Sequence, residues 1–191
     1  MEADWEAEIG PGAPVIDPHC PGFVDLRQTP ECAQQLPEVA WLRGLDDALI
    51  RLNGVHSPVW TAKCDVWPLD AGEFDIDEMN APLESSAFGQ GCYIDLLPTN
   101  KQQWSVPATA ISWCKDSCSL LRALPLPCCR VDLIIRSAAL SPDRMYIGVT
   151  VYLTSCGPTA ENANQVLQAA LNGFVDALCG RSTIEWEYRG E

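Results

Sequence analysis

Basic residues and histidines are scarce in this sequence, and both shortages restrict what the protein can do. The 191 residues include 12 Lys and Arg against 26 Asp and Glu, which gives a formal net charge of −14. Because binding to nucleic-acid phosphates or to anionic membranes requires a basic surface, neither is an expected partner. Histidine is the commonest general base at neutral pH. The only two, His19 and His56, are predicted to be plain surface imidazoles.

Segments that direct a chain into or across a membrane are also missing. No run approaches the roughly 20 apolar residues that a membrane helix needs. The first ten residues, MEADWEAEIG, are acidic, whereas a secretory signal opens with basic residues and an apolar stretch. We therefore predict a cytoplasmic protein. Its ten cysteines, most of which stand in apolar stretches, are predicted to be reduced and buried rather than paired in disulfides.

Motifs for metal and phosphate binding are absent or incomplete. There is no CxxC pair, and Cys114 and Cys118 stand four residues apart on one helical face, where a core position explains them better than zinc does. Residues 75–80, DIDEMN, begin like a calcium loop but place Met79 at a ligand position. The stretch GQGCY lacks the spacing of a phosphate loop. No metal and no cofactor are predicted.

Hydrophobic periodicity predicts an α+β fold. Apolar residues at spacings of three and four indicate a helix over 37–53. Residues 91–189 follow the order strand, helix, strand, strand, helix, strand, which is the ferredoxin-like βαββαβ arrangement of an antiparallel sheet with both helices on one face. The 37–67 helix and strand are expected to extend this sheet at an edge or to cover its open face. Alternation indicates that the strand, 58–67, carries four residues on one face: Trp60, Ala62, Cys64 and Val66.

Domain organisation is expected to be simple. Residues 1–35 are rich in proline and show no clear period, so they are predicted to form an extended N-terminal arm. The rest of the chain, 36–191, is predicted to be a single α+β domain. Its elements from residue 91 onward are predicted as strand 91–98, helix 106–126, strand 128–138, strand 145–156, helix 158–179 and strand 182–189.

The most distinctive stretch is acidic. Residues 70–84, DAGEFDIDEMNAPLE, contain six carboxylates and no basic residue. Residues 1–100 hold 18 acidic and 4 basic residues, whereas residues 101–191 hold 8 of each. Aromatic side chains beside carboxylates are typical of protein interfaces, in which an apolar anchor has a charged surround. The predicted partner-binding residues are Trp67, Asp70, Glu73, Phe74, Asp75, Asp77 and Glu78.

These features favour a non-enzymatic cytosolic protein that uses an acidic surface to engage a basic protein. In general character the chain resembles bacterial immunity proteins, which are small, acidic and α+β. The resemblance implies an inhibitor whose carboxylates take the place of substrate phosphates in a nuclease toxin. The alternative for this segment is that Trp67 and Phe74 fold inward and the acidic side chains form a solvated rim that only maintains solubility.

Two other functions stay open. One is a small-molecule-binding or enzymatic ferredoxin-like domain, in which His56, Asp65 or Asp95 acts on a ligand. The other is a subunit that forms a homodimer through an exposed aromatic face of the sheet. A closed pocket containing a carboxylate with a raised pKa would favour the ligand site. A flat or convex acidic surface would favour the protein-binding function.

Overall fold

The computed structural model covers residues 1–19, 22–85, 87–100, 102–141 and 144–184. Over these residues the protein has the predicted α+β class, with a mixed sheet of six strands and three α-helices. The strands are β1 (Glu2–Glu8), β2 (Val15–Ile16), β3 (Val59–Leu69), β4 (Phe88–Pro98), β5 (Cys129–Ser141) and β6 (Arg144–Gly157). The helices are α1 (Leu45–Leu52), α2 (Pro107–Arg122) and α3 (Ala160–Ile184). Short 3-10 helices span Pro30–Gln35, Pro37–Ala40, Asp77–Met79 and Leu83–Ser85.

The strand order differs from the ferredoxin-like prediction. The strands lie in the order β1-β5-β6-β4-β3, and both β1 and β2 run parallel to β5, whereas the other pairs are antiparallel. A ferredoxin-like sheet would place its last strand beside β4, but β3 occupies that position. Residues 182–184 of the predicted last strand continue α3 instead. The remainder of that predicted strand lies outside the described residues.

The predicted helix over 37–53 is interrupted. Residues Pro37–Ala40 form a 3-10 helix, and α1 begins only at Leu45. Gly44, which precedes α1, has a φ of +82°, and a left-handed residue cannot continue a right-handed helix. The periodic leucines still face the core, since Leu42, Leu45, Leu49 and Leu52 are all buried.

A bulge after Thr61 reverses the alternation of β3. Trp60 and the bulged residue Ala62 lie on the sheet face opposite the helices, whereas Cys64 and Val66, beyond the bulge, pack with the helices. The prediction that these four residues share one face is therefore wrong, because the extra residue of a bulge changes which face each later side chain occupies.

The main core lies between one face of the sheet and the helices. It is formed by alternate residues of the central strands packed against α1, α2 and α3, and Trp104 and Phe174 are its largest fully buried members. β1 contributes Ala3 to the same core. None of the helices in the described part of the chain has both the length and the hydropathy of a membrane span.

The N-terminal segment covers part of the other sheet face. Residues 1–35, predicted as an arm, supply β1 and β2 to the edge of the sheet beside β5. Ile16 packs there with Trp60 and Leu97 in a second, smaller cluster, and the guanidinium of Arg27 lies 4.1 Å from the Trp60 ring centroid. The opposite end of this face, towards the end of β3, is left open.

Candidate functional site: an acidic cleft on the open sheet face

The open part of the sheet face forms a cleft with a volume of about 600 Å³. β5 and β6 form its floor, β1 forms one side, and the end of β3 and the acidic segment 70–84 form the other. We call it the acidic cleft, because its charged lining consists of seven carboxylates and two guanidinium groups: Asp4, Glu6, Glu8, Glu73, Asp75, Glu78 and Asp132, with Arg130 and Arg136.

Two glycines on β4 position two aromatic residues of the cleft. A Cβ placed on Gly91 would lie 2.5 Å from Cε2 of Trp67, and one on Gly89 would lie 2.7 Å from Cδ1 of Phe74. Each ring therefore rests directly on strand backbone that only a glycine leaves uncovered. This explains the GQG sequence, which serves close packing of aromatic rings rather than phosphate binding.

A row of aromatic rings crosses the same face of the sheet. The ring centroids of Trp67 and Tyr93 are 6.1 Å apart, and those of Tyr93 and Tyr152 are 5.9 Å apart. Both separations fall in the range of favourable tilted aromatic contacts. The Arg136 guanidinium lies 5.6 Å from the Tyr152 ring centroid and extends the row onto β5. The floor of the cleft thus presents flat π surfaces next to charged groups.

Both arginines of the cleft are already paired with carboxylates. Arg130 binds Asp132 at 2.9 Å and Glu78 at 3.1 Å, and its hydrogen bond with Asp132 raises its pKa. Arg136 binds Glu8 at 2.8 Å. Burial alone would lower the pKa of Arg136, but its hydrogen bonds with Tyr152 and Glu8 outweigh that effect and raise it. The remaining carboxylates leave the cleft with a net negative charge.

Hydrogen bonds hold the acidic segment in shape. A carboxylate oxygen of Glu73 accepts from the Asp70 N–H at 2.7 Å, and Asp75 accepts from the Asp77 N–H at 2.9 Å. The amide of Asn80 donates to the carboxylate of Glu2, which links the segment to β1. Because these side chains bond to local backbone, the segment presents its carboxylates in a defined arrangement.

Five of the seven residues predicted for partner binding line the cleft: Trp67, Glu73, Phe74, Asp75 and Glu78. Asp70 and Asp77 are exposed but lie outside the lining. The acidic residues of β1 and the charged residues of β5 were not predicted from the sequence. The residues of β5 could have been predicted to share the open face, since Arg130, Asp132 and Arg136 alternate with buried residues along one strand.

Two residues of the alternative catalytic site, Asp65 and Asp95, are diagonal neighbours on paired strands, because the ladder partners are Tyr93 for Asp65 and Lys63 for Asp95. His56 is exposed and precedes the start of β3, whereas Asp65 stands in its second half. Asp95 is buried, with 8% of its surface exposed, and accepts a hydrogen bond from the Thr150 hydroxyl at 2.5 Å. Burial raises the pKa of Asp95, while Thr150, Arg136 and Lys63 act to lower it. Asp95 lies on the open sheet face, since the Thr150 hydroxyl that it binds also accepts a hydrogen bond of 3.3 Å from Arg136 of the cleft.

Across the described ranges, no three His, Cys, Asp or Glu side chains are grouped so that they could hold a metal ion. Comparisons with models of protein families, with curated proteins and with solved structures find no match to this chain. The acidic cleft is therefore the feature from which a function can be inferred.

Proposed function

We propose that this chain is a non-enzymatic binding protein that receives a cationic segment of a partner protein in the acidic cleft. The observation that carries the proposal is the charge of the concave lining, where seven carboxylates stand against two arginines that are both already paired. A cationic segment entering the cleft gains attraction from the unpaired carboxylates. An anionic ligand would meet repulsion there.

The aromatic floor supports the same class of ligand. Arginine and lysine side chains bind well over the faces of Trp and Tyr, since the ring quadrupole attracts the cation. Trp67 and Tyr152 line the cleft within reach of the carboxylates of the acidic segment and of β1. Carboxylates and aromatic faces together favour a guanidinium or an ammonium group on a protein surface over an isolated small ion.

The immunity-type function stays a prediction within this proposal. A nuclease that binds nucleic acid carries basic side chains in its active-site cleft. The acidic segment 70–84 and β1 would face such a surface together. Because the cleft is concave rather than flat, we expect a protruding basic segment of the partner to enter it, in place of a broad surface that mimics phosphates. The cytoplasmic location and the partner's identity also stay predictions.

The test uses a fluorescently labelled deca-arginine peptide as the probe, with binding followed by fluorescence anisotropy over a range of salt concentrations. The charge-neutralised variant is Glu73→Gln with Asp75→Asn, which keeps both hydrogen-bond acceptors of the segment. We expect wild-type affinity to fall with salt, and the variant to bind roughly tenfold more weakly at low salt, because two attractive charges are lost.

The matched control is Asp47→Asn with Asp116→Asn, which makes the same change in net charge at exposed positions of α1 and α2. These positions belong to the helical layer, on the other side of the sheet. We expect this control to bind almost as tightly as the wild type. Equal weakening by the two double variants would show that net charge, rather than the cleft, attracts the peptide, and would refute the proposal.

The size of the cleft favours a second candidate, the binding of a small organic cation. A volume of about 600 Å³ lies within the range of small-molecule sites. The two functions differ in what competes with the peptide. A diamine or guanidine compound that displaces deca-arginine at micromolar concentration would favour the small ligand, whereas displacement only by long basic peptides would favour the protein partner.

A further inference from the structure

Cys128 and Cys156 stand opposite one another where β5 begins and β6 ends. Cys129 pairs with Ser155 in the ladder, and the next outward pair is Cys128 with Cys156, whose N–H donates to the Cys128 carbonyl at 2.9 Å. Directly opposed residues of antiparallel strands have Cα atoms about 4.5–5.5 Å apart. That separation lies inside the range of about 4.4–6.8 Å that a disulfide spans.

The two thiols differ in access. Cys156 is fully buried, whereas Cys128 is partly exposed and its Sγ lies 3.9 Å from the Ser85 hydroxyl. The pKa of Cys156 is raised to about 11, chiefly by burial and in smaller part by the charge of the neighbouring Cys128 and a hydrogen bond with it. A small reagent from solvent therefore reaches Cys128 first, and Cys156 is the buried thiol next to it.

The backbone of Cys128 is strained. Its φ of +63° lies in the left-handed region, which only one other non-glycine residue among those described, Asn80, adopts. Asn tolerates this conformation through local hydrogen bonds, but a cysteine gains no such relief. Strain of this kind concentrates at positions where a side chain serves chemistry rather than folding.

Other described cysteine pairs are less suited to a disulfide. Val66, not Cys64, is the ladder partner of Cys92, so Cys64 and Cys92 are diagonal neighbours about 7–8 Å apart. Cys129 follows Cys128 directly but is buried in the core on the helix side of the sheet. Cys114 and Cys118 are one turn apart on α2, but both are buried, so a reagent in solvent reaches neither. Among these pairs, Cys128 with Cys156 alone combines direct opposition with a partly exposed thiol.

We propose that Cys128 and Cys156 form a thiol–disulfide exchange site that takes low-molecular-weight disulfides of the glutathione class. The Cys128 thiolate attacks one sulfur of the disulfide, so a mixed disulfide forms and one thiolate leaves. The Cys156 thiolate then attacks Sγ of Cys128, which joins β5 to β6 and releases the second thiolate. The pair loses two electrons and two protons, and the external disulfide is reduced to two thiols.

This site is independent of the proposed function. Cys128 also donates its N–H to the carbonyl of Met79 at 3.2 Å, and Met79 is part of the acidic segment 70–84. An oxidised pair would fix the strand end to which that segment is attached. The cleft would still form in the reduced protein, so the two proposals can succeed or fail separately.

The experiment treats the native protein with oxidised glutathione, quenches with acid, alkylates the remaining thiols and maps peptides by mass spectrometry. We expect a peptide in which Cys128 is joined to Cys156 to appear before any other cross-link. Cys156→Ser should instead leave one glutathione on Cys128, and Cys128→Ser should abolish both products. The control Cys179→Ser, at a partly exposed position of α3, should keep the cross-link.

The wild-type map decides the proposal without depending on whether any variant folds. Absence of the Cys128–Cys156 peptide would overturn it. A preference for another pair would do the same, and so would a cross-link that forms only after unfolding in urea. Circular dichroism of each variant separates a lost site from a lost fold. Deca-arginine binding, measured before and after oxidation, reports separately on the acidic cleft.

Discussion

The Thr150 hydroxyl donates a hydrogen bond of 2.5 Å to the Asp95 carboxylate, and both side chains are buried on directly opposed positions of β6 and β4. Burial raises the pKa of Asp95 more than Thr150, Arg136 and Lys63 lower it. The folded protein therefore holds a proton on this carboxyl at a pH at which the unfolded chain has released it.

The first prediction concerns the pH dependence of stability. Since the folded-state pKa is raised, Asp95 makes the free energy of unfolding fall as the pH rises from about 4 through the folded-state pKa. Above that pKa, Asp95 is ionised in the folded protein as well, and the free energy of unfolding has lost the full contribution of this group. Asp95→Asn cannot titrate, yet it keeps an acceptor for Thr150. We expect the stability of Asp95→Asn relative to wild type to increase across this interval, as measured by urea denaturation at closely spaced pH values. Parallel curves for the two proteins would contradict this.

The second prediction tests the contact between Trp67 and β4. Gly91→Ala would place a Cβ 2.5 Å from the indole, so the ring must leave its position. We expect a loss of about 1–3 kcal/mol in the free energy of unfolding, as for overpacked sites, a changed Trp fluorescence spectrum and weaker peptide binding. The control is Gly180→Ala, where a Cβ meets nothing within 4 Å and a helix gains stability. A variant as stable as wild type, with unchanged fluorescence, would refute the packing role.

The third prediction concerns Asn53, which is buried at the end of α1. Its amide donates to the Leu49 carbonyl and the Thr61 hydroxyl, both at 2.8 Å, and accepts from the Thr61 N–H at 3.0 Å. Asn53→Ala leaves these groups unsatisfied next to the bulge of β3, so we expect a loss of about 2–3 kcal/mol. Thermal and urea unfolding measure it. Asn164→Ala, which removes one exposed hydrogen bond to the Trp41 carbonyl, should cost much less. Similar losses at both sites would count against this account.

The fourth prediction concerns the strain at Cys128. Because its φ is +63°, a glycine fits the backbone better than any residue that has a Cβ. Under reducing conditions, we expect Cys128→Gly to be about 1 kcal/mol more stable than Cys128→Ala. Urea denaturation of the two variants gives the comparison directly, since both lack the thiol. Equal stabilities would mean that the left-handed conformation is not retained in solution.

Local periodicity predicted most elements of the fold but not their arrangement. β4, α2, β5, β6 and α3 form close to their predicted positions, because each carries a clear period of two or of three to four residues. The strand order could not be derived in this way, since periodicity does not say whether β3 or the predicted strand 182–189 lies beside β4. The break at Gly44 and the bulge after Thr61 are single-residue conformations that are decided by tertiary packing.

The side of the cleft that β1 forms was not predicted from the sequence, and the composition of β1 explains why. The sequence EADWEAE alternates, but its outward residues are acidic and its inward residues include small alanines. Such a strand has weak intrinsic β-propensity and is stabilised by its pairing with β5. The acidic segment 70–84 could be identified from the sequence because its composition is unusual. The position of this segment opposite β1, with Arg130 and Arg136 between them, is set by the fold and could not be predicted from composition.

The pairing of β1 with β5 also has a consequence for how the protein folds. Glu2 lies opposite Arg130, so β1 has no partner until β5, far along the chain, has been made. Contacts between residues so distant along the chain slow folding, since a long loop must close before they form. We expect β1 to join last and to exchange its amide hydrogens faster than β6, which is flanked on both sides.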